Sequence, residues 1–305
     1  PGTALVPTDL IVRAMPRDGL TIADEPSRLT AAEVERRNDQ ERGKLLVSED
    51  RVIGVGHAGE TRAYPLRLMR WHEVVNDEVG GRAIAVTYGP LCDSVAVYSR
   101  DTSSGLVTLG LSGLLYNSNA LLYDRELADP AASPLWTQLT GQPVAGRDPA
   151  RAPALQPIPA VVTTWAKWRS RHPQTTVMAP VPEIKKLYKR DPYHSYFGSD
   201  SLRFPVEPLP PAAGWRYKDR VVIATIDGVH YEIAIPDLVR TLGSPSGTAQ
   251  VSAGGLALEI HFDEDLGFAE LIAAEPERLS AIRSAFWFSW YSLKGTIPDI
   301  IRTAG

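Results

Sequence analysis

Sulfur is scarce in this sequence: its 305 residues include one cysteine, Cys92, and three methionines. A lone cysteine excludes an intrachain disulfide and leaves the redox compartment unread. Long apolar runs are also missing. None approaches the roughly 18 residues of a membrane-spanning helix, so no transmembrane segment is expected. Charge of one sign is lacking too, with 32 Lys and Arg against 36 Asp and Glu, a net of −4. A pI near 5.9 supplies no field to gather nucleic acid or anionic lipid. The expected partner is therefore a small molecule or a metal rather than nucleic acid, with the oligomeric state left open. The chain opens on Pro1 with no signal-peptide pattern, as a trimmed or processed chain would.

What is present is ordinary globular composition, 44% hydrophobic and 22% charged, with 25 prolines that stiffen many turns. The clearest pattern lies at 81–98. Ile84, Val86 and Tyr88 alternate with Ala85 and Thr87, and Val95 and Val97 alternate with Ser94, Ala96 and Tyr98. Period two on both sides of Gly89-Pro-Leu-Cys-Asp93 predicts two strands joined by a loop that carries the only cysteine.

Other elements follow from local signals. Thr30-Ala-Ala-Glu33 spells a capping box and predicts a helix with a charged body, Glu33 to Arg42. Short strands are expected at Lys44–Glu49, Arg51–His57 and Glu60–Tyr64. Pro65 should open a helix from Leu66 to about Asn76, with Leu68, Met69, His72 and Val75 on its inner side. Leu106–Ser112 and Ala120–Asp124 read as strands around a 113–119 loop. Thr163 or Thr164 caps a helix bearing Trp165, Trp168 and His172, and Phe286–Tyr291 has the two-sided aromatic content of a buried strand. The expected organisation is an N-terminal extension and helix (1–44), a half carrying the candidate site (45–202), a Pro-rich linker (203–214) and a second half packed on the first (215–305). The fold class is α+β, β-dominated, with mainly antiparallel sheets and a few short helices. Asp50-Arg-Val-Ile, a Gly59 turn and Pro65 before a helix echo Asp219-Arg-Val-Val222, Gly228 and Pro236. Two related halves would explain the echo, and so would the commonness of hairpin-then-helix units.

Three familiar motifs fail. Gly54-Val-Gly-His-Ala-Gly59 spells a dinucleotide fingerprint, but a strand follows where a helix is needed. His72-Glu-Val-Val-Asn76 lacks the second histidine of a zinc protease. Gly110-Leu-Ser-Gly113 has the wrong spacing for a nucleophile elbow.

An ordered series of segments resembles a bacterial family defined only as a domain of unknown function, family 3179. They are Arg62-Ala-Tyr-Pro-Leu66, His72-Glu-Val-Val-Asn-Asp77, Tyr88-Gly-Pro-Leu-Cys-Asp-Ser94, Ser112-Gly-Leu-Leu-Tyr-Asn-Ser118, Leu122-Tyr-Asp-Arg125, Leu135-Trp-Thr-Gln138 and the Phe-Trp-Phe run around 287. The resemblance spans about 45–290 and brings no established activity. It implies export, to the periplasm or beyond. The family loop reads Tyr-Cys-Pro-Leu-Cys-Gly-Ser, so Gly89 and Asp93 here replace a Cys and a Gly. Without that first Cys, Cys92 cannot cycle as a dithiol within the loop.

Three readings of Cys92 stand side by side. With His72 and Met69 or His57 it would form a soft ligand set that favours copper. With His72 as base it would be a nucleophile acting on a small molecule. There Glu73 or Asp77 would orient the imidazole, and Tyr116, Asn117 or Gln138 would stabilise an oxyanion. Alternatively it packs as a small hydrophobe in a non-catalytic binding or accessory module. The sequence does not decide whether the protein is an enzyme. Because polar residues cluster at the loops joining predicted strands, a pocket around Cys92 and His72 is expected between the 89–94 loop, the 65–76 helix and the 112–119 loop.

Overall fold

The structure is a computed structural model and describes residues 3–40, 44–211, 214–297 and 301–303. Local patterning gives a β-dominated protein with mainly antiparallel pairing and short helices. Strands Arg51–His57 and Glu60–Pro65 pair across Ala58-Gly59, both at positive φ (46° and 84°), the mirror-image turn that suits a two-residue hairpin.

Three large sheets stack. From edge to edge, the middle one runs Ile301–Thr303, Val229–Ala234, Arg220–Ile226, Leu279–Phe286, Ser94–Ser99, Arg82–Gly89, Val74–Val79 and Ala23–Asp24. On one side lies an eight-stranded sheet. Its order is Ser246–Ala253, Leu256–Asp263, Phe268–Ala273, Val161–Thr164, Arg51–His57, Glu60–Pro65, Thr176–Met178, Arg28–Thr30. The third sheet runs Thr3–Ala4, Pro143–Gly146, Pro134–Thr137, Asn119–Asp124, Leu109–Tyr116, Ile11–Arg13.

Packing follows from this order. Ile53, Val55 and Tyr64 meet Val75, Ile84, Val86 and Val95 in one core. Val222 and Ile233 meet Leu258, Ile260 and Leu271 in another. The opposite face of the middle sheet puts Ala85, Ala96 and Tyr98 against Leu109, Leu122 and Trp136. A strand covered on both faces should have no solvent side, and every residue of Ser94–Ser99 is buried.

The helices are α1 (Ala31–Gln40), α2 (Leu66–His72), α3 (Trp165–Arg171), α4 (His194–Phe197), α5 (Ile235–Leu242) and α6 (Trp287–Leu293). The capping box of α1 closes in both directions: Thr30 N–H to Glu33 Oε2 at 2.7 Å, and Glu33 N–H to Thr30 Oγ1 at 3.2 Å. Residues 41 and 42 of the predicted helix lie outside the described residues. Thr164 caps α3 through Lys167 N–H. Val34, Trp165 and Trp168 cover the outer face of the eight-stranded sheet.

Several expectations are corrected. Lys44–Glu49 is a turn region, because the Asp50 carboxylate accepts from Val47 N–H (2.9 Å) while Asp50 N–H donates back to Val47 O (3.1 Å). Helix α2 stops at His72, four residues early, because Glu73 takes φ 58° and the chain turns into the strand Val74–Val79. The strand expected at Leu106–Ser112 is Leu109–Tyr116, which runs through the expected loop with a register shift around Gly113. Phe286 ends a strand, and Trp287 begins α6, whose Trp287, Phe288, Trp290 and Leu293 are all buried. A helix buried all round carries the same two-sided apolar pattern as a buried strand, so periodicity alone misassigns it.

The Pro-rich run of the expected linker is held rather than free. Asn117 and Glu207 exchange two hydrogen bonds of 2.9 Å, and Ser118 Oγ donates to Phe204 O. Residues 212 and 213 of that segment lie outside the described residues. The first thirty residues are likewise more than an extension, contributing short strands to each of the three large sheets.

Candidate functional site

The loop between Arg82–Gly89 and Ser94–Ser99 is a single 3-10 turn, Pro90–Cys92, closed by Asp93 at φ 41°. Register is tight on both sides, Tyr88 facing Val95 and Gly89 facing Ser94. Asp93 holds the loop down. It accepts from Arg51 Nη1 (2.9 Å) and Nη2 (3.1 Å), from Arg220 Nε (2.7 Å) and from the Tyr88 hydroxyl (2.7 Å). Burial by itself would push this carboxyl up, but the two guanidiniums outweigh it and hold Asp93 well below the usual carboxylate range.

Cys92 has no accessible surface and packs with Tyr196, Phe286 and Phe288. Its thiol donates to Ser118 O at 3.3 Å. Burial pushes the thiol up to about 12; Ser289 and Asn119 oppose this, and the Glu73 and Asp93 carboxyls add to it. A thiol so placed is neither ionised nor reachable near neutral pH.

His72 is also fully buried, and both its ring nitrogens are engaged. Nδ1 donates to the Thr21 carbonyl, and Nε2 accepts from the Tyr188 hydroxyl at 2.6 Å. Since a carbonyl can only accept, the ring is the neutral Nδ1–H tautomer. Burial lowers its pKa, opposed in part by the hydrogen bond to Thr21. The imidazole has no lone pair left for a thiol or a metal. Met69 belongs to the core between the middle and eight-stranded sheets, apart from the cluster around Cys92. His57 is exposed at a hairpin end. Among the described residues no group of three or more His, Cys, Asp or Glu side chains is placed to hold a metal ion. The Cys92–His72–Met69 set expected from the sequence is thus not gathered, because each member is absorbed by its own surroundings.

The expected oxyanion donors are dispersed in the same way. Tyr116 packs among Leu121, Leu139 and Trp290. Asn117 and Ser118, both at positive φ (51° and 64°), form the turn of a hairpin, and the Asn117 amide is spent on the Pro-rich run. Gln138 donates to Thr87 Oγ1 (2.9 Å) and to Ser94 O (3.3 Å), and its oxygen accepts from Asn119 (3.0 Å). It stitches the middle sheet to the third one. Asp77, expected to orient His72, is bonded instead to Arg62 (2.6 Å) and the Tyr64 hydroxyl (2.9 Å).

A cavity of about 160 Å³ does lie under the loop, lined by segments from all three expected regions: Glu73, Gly89–Leu91, and Leu115 with Ser118. Neither Cys92 nor His72 lines it. Glu73, expected only to support His72, is the buried carboxyl of this space, 6% exposed. Its backbone is fixed on both sides: N–H to Met69 O at 2.7 Å, and carbonyl accepting from Tyr88 N–H at 2.8 Å. Among the described residues no Lys or Arg pairs with it. Burial pushes its pKa up to about 8, partly offset by a hydrogen bond from Tyr193. The only advance signal was an acid wedged between the buried-side His72 and Val74, where the helical period gives way to alternation.

With that geometry in view, comparison with known proteins adds one finding. A family model described as "Protein of unknown function (DUF3179)" matches residues 24–278. No curated protein and no solved structure matches the chain.

Proposed function

The chain belongs to the DUF3179 family, and within it we propose that this member is a small-molecule-binding protein whose site is the cavity under the Gly89–Asp93 loop. Glu73 is its working polar group. The observation that carries this reading is the cost of placing Glu73 there: a carboxyl buried without a cation, on a backbone at φ 58° that side chains rarely adopt. Strain and desolvation of this kind, facing a cavity, are a recurrent mark of functional groups. Cys92 is a packed side chain in this reading, neither nucleophile nor copper ligand. A location outside the cytoplasm goes with the proposal and rests on the family resemblance alone. The test is a screen of small polar molecules by amide chemical shifts on the full chain. Shifts should gather at Glu73, Gly89, Leu91 and Ser118, and should vanish in Ala14→Trp, which plugs the cavity from an exposed lining position. Shifts gathered elsewhere, or unaffected by the plug, would overturn the reading.

We also propose that the molecule holds two copies of one unit. In the first, the hairpin 51–65 leads through α2 to the three strands 74–99; in the second, the hairpin 220–234 leads through α5 to the three strands 246–273. The hairpin of each copy sits in the sheet that holds the other copy's three strands. Val161–Thr164 pairs with Arg51–His57 and with Phe268–Ala273, just as Leu279–Phe286 pairs with Arg220–Ile226 and with Ser94–Ser99. After α3 and α6, Thr176–Met178 and Ile301–Thr303 each lie parallel to the second strand of their hairpin. A common hairpin–helix motif does not account for this crossed exchange. An experimental structure in which the two runs fail to superpose about a two-fold axis would remove the idea.

A further inference from the structure

Resting on the reading of the cavity as a binding site, we propose that its ligand is a small monocarboxylate with a second oxygen, of the size of a 2-oxo or 2-hydroxy acid. Its carboxylate would sit on Arg203 and the second oxygen would accept from Glu73. Four observations lead there.

Size comes first. A cavity of about 160 Å³ is well below the range of about 300–1,000 Å³ for drug-sized ligand sites and suits a small molecule. Next is the charge at the rim. Arg203 lines the cavity and is exposed, its guanidinium lying 4.9 Å from the Tyr196 ring centre and 5.7 Å from that of Tyr193. Among the described residues no carboxylate pairs with it. The other charges around the site are already matched: Arg70 by Asp191, and Asp93 by Arg51 and Arg220. Among the described residues Arg203 is thus left without an anion, and Lys218 beside it on the Tyr196 ring donates only to backbone carbonyls, so the mouth selects an anion.

The interior supplies the third observation. Burial pushes the Glu73 pKa up to about 8, which favours the protonated form and its O–H donor at neutral pH, while a carboxylate at the same place would repel an anion. An amine ligand is disfavoured twice, by Arg203 at the mouth and by the missing negative charge inside. Finally, the remaining walls are mostly apolar, with Met15, Pro90, Leu91, Leu115, Ala120 and Phe204; the two hydroxyls that join them are already engaged, Ser118 with Phe204 O and Tyr193 with Glu73.

Other titrating groups bear on the same pH range. Tyr193 and Cys92, which face Glu73, titrate well above it. Lys218, over the Tyr196 ring and donating to Tyr196 O, Ser199 O and Ser201 O, is lowered by burial to about 8. A variant at Glu73 separates the two.

The experiment is calorimetric titration of the full chain with pyruvate at pH 6.5 and pH 9, beside ethylammonium and acetamide. Pyruvate should bind at pH 6.5, and about tenfold more weakly in Arg203→Gln, which removes a charge-assisted contact. Affinity should fall at pH 9 in the native chain and stay level in Glu73→Gln, whose amide keeps a donor at both pH values. A pH-dependence that persists in Glu73→Gln belongs to Lys218 and overturns the role given to Glu73. Binding of ethylammonium or acetamide with none of pyruvate overturns the ligand class while leaving the cavity reading intact. Failure of all three probes, with Ala14→Trp indistinguishable from the native chain, overturns both.

Discussion

The ends of α2 and α5 do the same job with different residues. Both helices stop where the backbone swings to positive φ, at Glu73 (58°) and at Gly243 (63°). The residues that lead into the last of the three strands differ likewise, Asp93 at φ 41° against Gly267 at 70°. Glycine adopts this conformation without a Cβ penalty, so the 220–273 half makes its turns cheaply. The 51–99 half places acids at both points and buries them. It is also the half that carries the long excursion from 100 to 160, from which much of the third sheet is built. On the proposed duplication these are matching turns, one set relaxed and one strained and charged, and the contrast supports placing the proposed site in the 51–99 segment. The two acids differ in turn, since Asp93 is neutralised by two arginines and Glu73 by none.

The largest effect should come from Asp93. Asp93→Asn leaves Arg51 and Arg220 facing each other without their anion, and loss of one partner of a buried ion pair costs about 3–5 kcal/mol. Urea denaturation at pH 7 measures this, and a loss below about 1 kcal/mol would mean that the clamp is ornamental. The acid's native pKa lies below its unfolded value. Its stabilisation is therefore complete above the ordinary aspartate pKa near 3.9 and fades as pH falls through the depressed value. The Asn variant should lack that acid-side loss.

Glu73 should show the opposite slope. Its native pKa of about 8 exceeds the unfolded value, so the native state keeps a proton that the unfolded chain has released. Stability should decline from about pH 4.5 to 8, by at most about 1.4 kcal/mol per pH unit, and level off above. Glu73→Gln should flatten that decline. An unchanged slope in the variant would show that the carboxyl is not held protonated.

A smaller loss is expected at Gly89. A Cβ there would stand 2.6 Å from Ser94 Oγ and 3.0 Å from Gln138 Oε1, so Gly89→Ala should cost about 1–3 kcal/mol through overpacking. The thermal midpoint would record it, and a neutral result would show that the Ser94–Gln138 pair can move aside. The smallest change belongs to Cys92→Ala, about 1–2 kcal/mol for a lost buried sulfur. Iodoacetamide at pH 8 should label the native chain no faster than it unfolds. Rapid labelling would return Cys92 to the list of reactive groups.

Much of the fold was legible in the sequence because it rests on neighbours. The 82–99 hairpin declares itself by alternation, the start of α1 by Thr30 and Glu33, and the start of α3 by Thr164. Each needs only groups a few residues apart. The expected pocket was legible to the extent that loops with Gly, Pro and polar residues join predicted strands. Cys92 and His72 are expected in it because they are the residue types that usually react, but neither lines the cavity, since type says nothing about surroundings.

What the sequence alone determined, then, is the set of local turns, caps and strand periods, where hydrogen-bond partners lie within one or two turns of chain. Tertiary structure decided the rest. His72 is committed to a tyrosine 116 residues further on, and Asp93 to arginines 42 residues before and 127 residues after it. Phe286–Tyr291 became mostly helix once the surrounding layers covered every side of it. Burial and partnership at such separations depend on how the sheets exchange strands, and no short window of residues encodes that exchange.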